Sequence, residues 1–194
     1  MTTRDADATR ARIIEAAEAT FAAQGIAGAR VDDIAARAEV NKRMLYYYFG
    51  SKEGLHEAVL RRRLAGRREV FASLPGAAAE RLPARMAQIL ADPTYLRLLV
   101  WEALGAGPDG EVVAEGERAE VLADLVALYD DGDDPVAAAH MVLVELGITT
   151  AAVVFPQIAR MLTGVAVDDP AFVEAHARAV AEVGRRLDAG GPPA

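Results

Sequence analysis

The chain of 194 residues contains no cysteine, one tryptophan and only 6% aromatic residues. Without cysteine there is no disulfide framework, no thiol nucleophile and no thiolate metal site, which fits a reducing compartment. No segment of useful length alternates apolar and polar residues, so no sheet is predicted. The opening MTTRDADATR lacks the apolar core of a signal peptide, and a cytoplasmic location is the expectation. Long hydrophobic runs are also missing. The most apolar stretch, Met141 to Phe155, has 15 residues, contains Glu145 and is followed by Pro156. A membrane span needs about 20 apolar residues, so a buried helix and no membrane partner are predicted. His56, His140 and His176 are scattered, and no HExxH, P-loop, G-x-S-x-G or dinucleotide fingerprint occurs. That absence points away from an enzyme and implies neither a metal nor a cofactor.

What is present favours helix. The composition is 53% hydrophobic and rich in Ala, Leu, Arg and Glu, residues that lose little on entering a helix. The formal net charge of −8 is unevenly spread. Residues 1–68 hold 13 Lys or Arg against 9 Asp or Glu, a net of +4, and the remainder carries −12. Only the first part is suited to approach phosphate. A first helix is predicted from Thr9 to Gln24, with Ile13, Ile14, Ala17 and Phe21 on one stripe and Gly25 as its stop. Further helices are predicted at 31–38, at 42–49, and from a Ser51 cap to Ser73. Asp92-Pro93, Asp134-Pro135 and Asp169-Pro170 each set a capping Asp before a Pro at the first helical position, marking starts at 93, 135 and 170. Helices also fit 77–91 and 111–130, and the one starting at 135 reads on to 163. Gly105 to Pro108 and Asp130 to Asp133 read as loops, and residues 190–194 as a frayed tail. The fold class is all-α.

The informative segment is VDDIAARAEVNKRMLYYYFGSK, residues 31–52. Val31, Ile34, Ala35 and Ala38 recur at helical spacing and form one buried stripe of a short helix. Glu39-Val40 makes a turn, and Asn41 can cap the next helix by accepting a backbone N–H. At about 100° per residue, Leu45, Tyr48 and Phe49 share one arc of that helix, with Met44 at its edge. Lys42, Arg43, Tyr46 and Tyr47 share the opposite arc, which suits a groove of DNA. The Arg43 guanidinium can bridge guanine O6 and N7. Lys42 serves a phosphate or a base, and the tyrosines phosphates or thymine methyls. Lys52 adds a cation beside helix N–H groups that also attract phosphate.

Residues 9–60, from TRARIIEAAEATFAAQG to LYYYFGSKEGLHEAVL, resemble the DNA-binding domain of the TetR family. The resemblance implies that the helix at 42–49 enters the major groove and that Lys42, Arg43, Tyr46, Tyr47 and Lys52 contact DNA. It further implies a division into a helix-turn-helix domain, 1–52, and a helical regulatory and dimerisation domain, 53–194. There are departures. Glu39 stands where the family usually has Gly, Asn41 where Ser or Thr is common, and Arg30 where Thr or Ser often caps. Met44 replaces a small residue. A non-glycine residue held left-handed costs roughly 1–2 kcal/mol, so the turn is either adjusted or strained.

The acidic remainder resembles the regulatory part of the same family, in which helices enclose a ligand pocket and the last two form a dimer interface. Val144, Ile148 and Ala152, with Phe172, Ala175, Ala179, Val183 and Leu187, are the interface candidates in a four-helix arrangement. Pocket candidates are Met86, Leu90, Tyr95, Leu98, Trp101, Glu102, Tyr129 and Met141. These are large apolar residues with one carboxylate, suited to a hydrophobic ligand with a cationic or hydroxyl group, although Glu102 can instead pair with an Arg. The partners expected are therefore a double-stranded operator, a small-molecule effector and a second copy of the chain. The rival reading is a helical adaptor, or a regulator that uses no effector pocket.

Overall fold

The computed structural model describes residues 3–106, 110–129 and 134–189. The expected loop at 130–133 and the expected frayed end at 190–194 lie outside them, as does the second half of the loop expected at Gly105 to Pro108, whose first half is the end of a helix. Among the described residues every regular element is a helix and none is a strand. The first helix, α1 (Thr3–Gly28), is interrupted at Gly25, where φ is 68° and ψ 170°. Next come α2 (Val31–Arg37), α3 (Lys42–Phe49) and α4 (Lys52–Leu64). The segment expected to be one helix from Ser51 to Ser73 is two helices. The chain breaks at Ala65-Gly66, where Gly66 takes a φ of 83° that a side-chain-bearing residue adopts only with strain. A short α5 (Arg67–Ala72) follows.

The remaining helices are α6 (Ala78–Ala91), α7 (Thr94–Ala106), α8 (Glu115–Val126), α9 (Pro135–Val154), α10 (Pro156–Thr163) and α11 (Pro170–Asp188). Asp134 and Asp169 cap as expected, accepting backbone N–H groups of Val136 and Ala137, and of Ala171. Asp92 closes the C-terminal end of α6, and α7 opens at Thr94, one residue later than the expected start at 93. The helix expected over 135–163 is two helices. Pro156 has no N–H to continue the ladder and its ring crowds the preceding turn, so α9 ends at Val154 and the proline opens α10.

The chain forms two compact units, Met1–Ala65 with Thr94–Arg118, and Gly66–Pro93 with Ala119–Ala194. In the first unit Ile13, Ala17 and Phe21 of α1 meet Ile34, Leu45, Leu55, Val59, Leu60 and Leu98 in one core. Each of the large side chains there contributes about 1.5–3 kcal/mol by leaving water. Arg63 of α4 pairs with Glu18 of α1 at the core's edge. In the second unit Ala78, Leu82 and Met86 of α6 pack with Val180 of α11, joined by Leu90, Ile148, Ala177 and Leu187. The N-terminus of α6 has no side-chain cap of its own. Asp188, at the far end of α11, supplies one, accepting the N–H groups of Ala78 at 2.8 Å and Ala79 at 2.9 Å.

Candidate nucleic-acid interface

The geometry of α3 is fixed at both ends by its own sequence. Asn41 accepts the Met44 N–H at 2.8 Å, satisfying a donor that the helix itself leaves free. At the other end Gly50 donates to the Tyr46 carbonyl, and Ser51 then caps α4 by accepting the Gly54 N–H at 3.0 Å. Gly54 is required by close approach, because a Cβ there would lie 2.4 Å from the Phe49 carbonyl oxygen. The crossing from α3 to α4 thus depends on a residue with no side chain.

The turn from α2 to α3 is built on Glu39, which has a φ of 54°. The departure from glycine is therefore accommodated by strain, with the backbone keeping its left-handed turn. Backbone bonds hold it: Glu39 N–H to the Ala36 carbonyl and Val40 N–H to that of Ala35. Arg30 precedes α2 without a side-chain cap bond, as its place in the sequence implies.

Leu45 is fully buried, and Tyr48 and Phe49 pack partly buried against the same core. On the opposite side Lys42 and Arg43 are exposed, Tyr46 is 42% and Tyr47 79% exposed. Lys52 is half-buried in the first turn of α4. Lys42 has a partner that the sequence reading missed. Its Nζ lies 3.1 Å from Asp32 of α2, and that hydrogen bond and charge hold the ammonium pKa above its ordinary value. The signal is weak in sequence because the two residues stand ten apart on different helices. Arg10, from α1, sits over the Phe49 ring at 5.4 Å.

The pocket candidates divide between the two units. In the first, Leu98 is a core residue, Tyr95 packs against that core, and Trp101 donates to the Ala22 carbonyl at 3.3 Å beside Gly25. Glu102 pairs with Arg118 at 2.6 Å and accepts the Val113 N–H, the arginine alternative noted above. In the second, Met86 is fully buried with Leu90 against it, Met141 is half-buried, and Tyr129 hydrogen-bonds to Glu145 and Arg81. Among the described residues no three metal-ligating side chains converge.

Of the interface candidates, Val144, Ala175, Ala179 and Val183 are exposed. Ala152 and Phe172 are buried within the protomer, and Ile148 and Leu187 pack against its second core. Large apolar side chains that the sequence reading did not single out are exposed instead: Leu143, Phe155, Ile158, Met161 and Leu162.

A short helix, a tight turn and a second helix with a buried and a cationic face define a helix-turn-helix, the class of protein that reads duplex DNA. Comparison with known proteins narrows this. Residues 13–59 match the model of the bacterial regulatory proteins of the tetR family. The chain is 38% identical over 174 residues to the HTH-type transcriptional repressor SCO4008 of Streptomyces coelicolor, covering 84% of this chain and 88% of that one. Its fold is similar to the crystal structure of the regulator SCO4942 from the same organism, with a TM-score of 0.72 at 27% identity over 92% and 97% of the two chains. It is also similar to the multidrug binding protein EbrR complexed with proflavin, with a TM-score of 0.56 at 26% identity over 92% and 99%. The chain belongs to the TetR family of helix-turn-helix transcriptional regulators and is not an enzyme.

Proposed function

We propose that this regulator is a cytoplasmic repressor that binds a palindromic operator as a homodimer and is released by a small, largely hydrophobic effector. Residues 1–52 read DNA, and residues 53–194 carry regulation and dimerisation. The observation that carries the reading is the two-sidedness of α3, with Leu45 fully buried and Lys42, Arg43, Tyr46 and Tyr47 open on the other side. Arg43 reads guanine, Lys42 and Lys52 neutralise phosphates, and the two tyrosines meet phosphates or thymine methyls. To reach DNA, Lys42 must leave Asp32.

The dimer reading is supported by α9 and α10. Leu143 and Val144 continue along the exposed side of α9 to Phe155, and α10 adds Ile158, Met161 and Leu162, the last two 83% and 82% exposed. By length and composition alone α9 is apolar enough to cross a membrane. Its buried side, however, carries Glu145 in contact with two arginines of α6, and a second protomer suits its exposed side. Two recognition helices about 34–36 Å apart then meet successive half-sites. The name of EbrR, complexed with proflavin, supports a small-molecule effector. Release requires that effector and operator favour different conformations.

Fluorescence anisotropy of the protein against DNA from its own upstream region, at several salt concentrations, tests the reading. Saturable binding well above that to random DNA, with a steep salt slope, is the expected outcome. Arg43→Ala should relax base preference, while Lys52→Ala should weaken all sequences alike. Equal losses on operator and random DNA for Arg43→Ala would remove its base-reading role.

A further inference from the structure

Among the described residues, the fully buried charges of the second unit do not balance. Arg81 is 2% exposed, Arg85 4% and Glu145 1%. Among the described residues Glu145 is the carboxylate that both guanidiniums share. Arg85 Nη1 donates to Glu145 Oε1 at 3.1 Å. Arg81 Nε approaches Oε2 only to 3.5 Å, beyond the usual range of an N–H···O bond. The other Arg81 nitrogens donate to neutral acceptors, the Gly76 carbonyl and, at 2.8 Å, the Tyr129 hydroxyl. Tyr129 in turn donates to Glu145 Oε2 at 2.8 Å. Burial first, and then its bond to Glu145, push the phenol pKa up, so Tyr129 carries no charge that would offset an arginine. A guanidinium stays protonated whatever its surroundings. The cluster therefore holds two positive charges and one negative charge in a place nearly closed to water. Aromatic faces flank it: the Tyr129 ring lies 5.0 Å from the Arg81 guanidinium carbon, and the Phe71 ring 5.2 Å from that of Arg85.

We infer that Arg81, Arg85 and Tyr129 anchor the acidic group of the effector, and that the effector class is an aromatic or similarly apolar carboxylic acid. The inference rests on the effector-responsive reading above and specifies its chemistry. A carboxylate entering the cluster brings its net charge to zero, whereas a cation of the same shape raises it to +2 in a medium that screens poorly. The planar fork of Arg81 matches two carboxylate oxygens, so short charge-assisted bonds replace its stretched contact with Glu145. The flanking rings take the ligand's apolar body. The cationic group that Glu102 would have attracted finds that carboxylate already held by Arg118.

The test is titration calorimetry of the full-length protein with three compounds of matched shape: 1-naphthoate, 1-naphthalenemethanol and 1-naphthylmethylammonium. Naphthoate should bind at least about tenfold tighter than the ammonium compound. Arg81→Gln should weaken naphthoate by about tenfold and leave the alcohol little changed, and Glu145→Gln should tighten naphthoate. Ammonium binding as tight as naphthoate, no change on Arg81→Gln, or no binding by any of the three overturns the inference. If Arg81→Gln does not fold, the three-compound comparison on the wild type decides alone. The same compounds are then added to the protein–DNA complex. Naphthoate that binds without releasing DNA leaves the site standing and removes the effector-responsive reading. Release of DNA by another compound class, with no naphthoate binding, does the reverse.

Discussion

The two units of this regulator are held together by different physics. The first has an apolar core that includes Ile13, Phe21, Ile34, Leu45 and Leu55, with the Arg63–Glu18 and Arg118–Glu102 pairs largely buried beside it and Lys42 and Arg43 exposed. The second has a small apolar core beside a buried network of two arginines, a glutamate and a tyrosine. An apolar core tolerates imperfect partners, because dispersion and water exclusion have no fixed direction. A buried ionic network is directional, and losing one member strands the others. The core beneath the proposed DNA-reading surface thus rests mainly on non-directional contacts, and the proposed sensing unit has at its centre contacts that a ligand can exchange.

The sharpest way to break this contrast is Glu145→Ala. It leaves the Arg81 and Arg85 guanidiniums buried without a counter-charge, and stability should fall by about 3–5 kcal/mol. Replacing Glu145, Arg81 and Arg85 together by apolar residues of similar volume should restore most of it, since no charge is then stranded. Urea denaturation of the single and triple variants measures both. A triple variant no more stable than Glu145→Ala would mean that the network contributes by packing and not by charge.

Helix capping gives a second, smaller contrast. In the first unit Asn41 caps the helix it precedes, and in the second Asp188 caps a helix more than a hundred residues earlier in the chain. Asp188→Ala strands two N–H groups and should cost about 1–2 kcal/mol, against about 1 kcal/mol for Asn41→Ala. Chemical denaturation compares the two; an equal or smaller loss for Asp188→Ala would show that water replaces the distant carboxylate.

The same contrast explains what the sequence made legible. Asn41, Ser51 and the Leu45 stripe carry local signatures, a cap residue directly before its helix and an apolar residue at helical spacing, and these mark both the bounds of α3 and its buried face. The Lys42–Asp32 pair, the Asp188 cap and the Arg81–Glu145–Arg85 network join residues far apart in sequence, and periodicity carries no trace of them. Phe172 shows the limit in another form. It lies on an apolar stripe of α11, but periodicity does not say whether such a stripe faces the protomer's own core or a partner, and Phe172 is buried within the protomer. The two helix breaks are signalled by Gly66 and Pro156, residues whose local meaning is strong: a positive φ at the first and a missing N–H at the second.

Strain in the helix-turn-helix gives a prediction of opposite sign. Glu39 holds a left-handed φ of 54°, so Glu39→Gly should remove a steric penalty and stabilise the protein by about 1 kcal/mol, less what glycine adds to the freedom of the unfolded chain. Thermal unfolding measures it as a rise in Tm. Operator affinity should change little, because the turn already has the left-handed geometry that glycine prefers. A fall in Tm would mean that Glu39 makes a favourable contact outweighing its strain.

Two imidazoles, one in each unit, allow the comparison to be titrated. His56 packs edge-on against Phe21 at 5.2 Å, and His176 stacks on Phe172 at 5.1 Å. Burial, the first cause in both cases, depresses each pKa below its ordinary value of 6.5; at His56 Glu102 and Glu53 oppose the shift and Arg118 adds to it. The unfolded chain therefore binds more protons than the folded one just below pH 6.5. Stability is full above that value, falls as the pH drops through it, and levels off once the native imidazoles are themselves protonated. His56 is almost wholly buried and His176 half-buried, so His56→Gln should flatten the dependence of Tm on pH more than His176→Gln does. The opposite order would mean that the Glu102 and Glu53 charges offset the burial of His56, placing an acid-sensitive electrostatic balance in the unit that otherwise depends on apolar contacts.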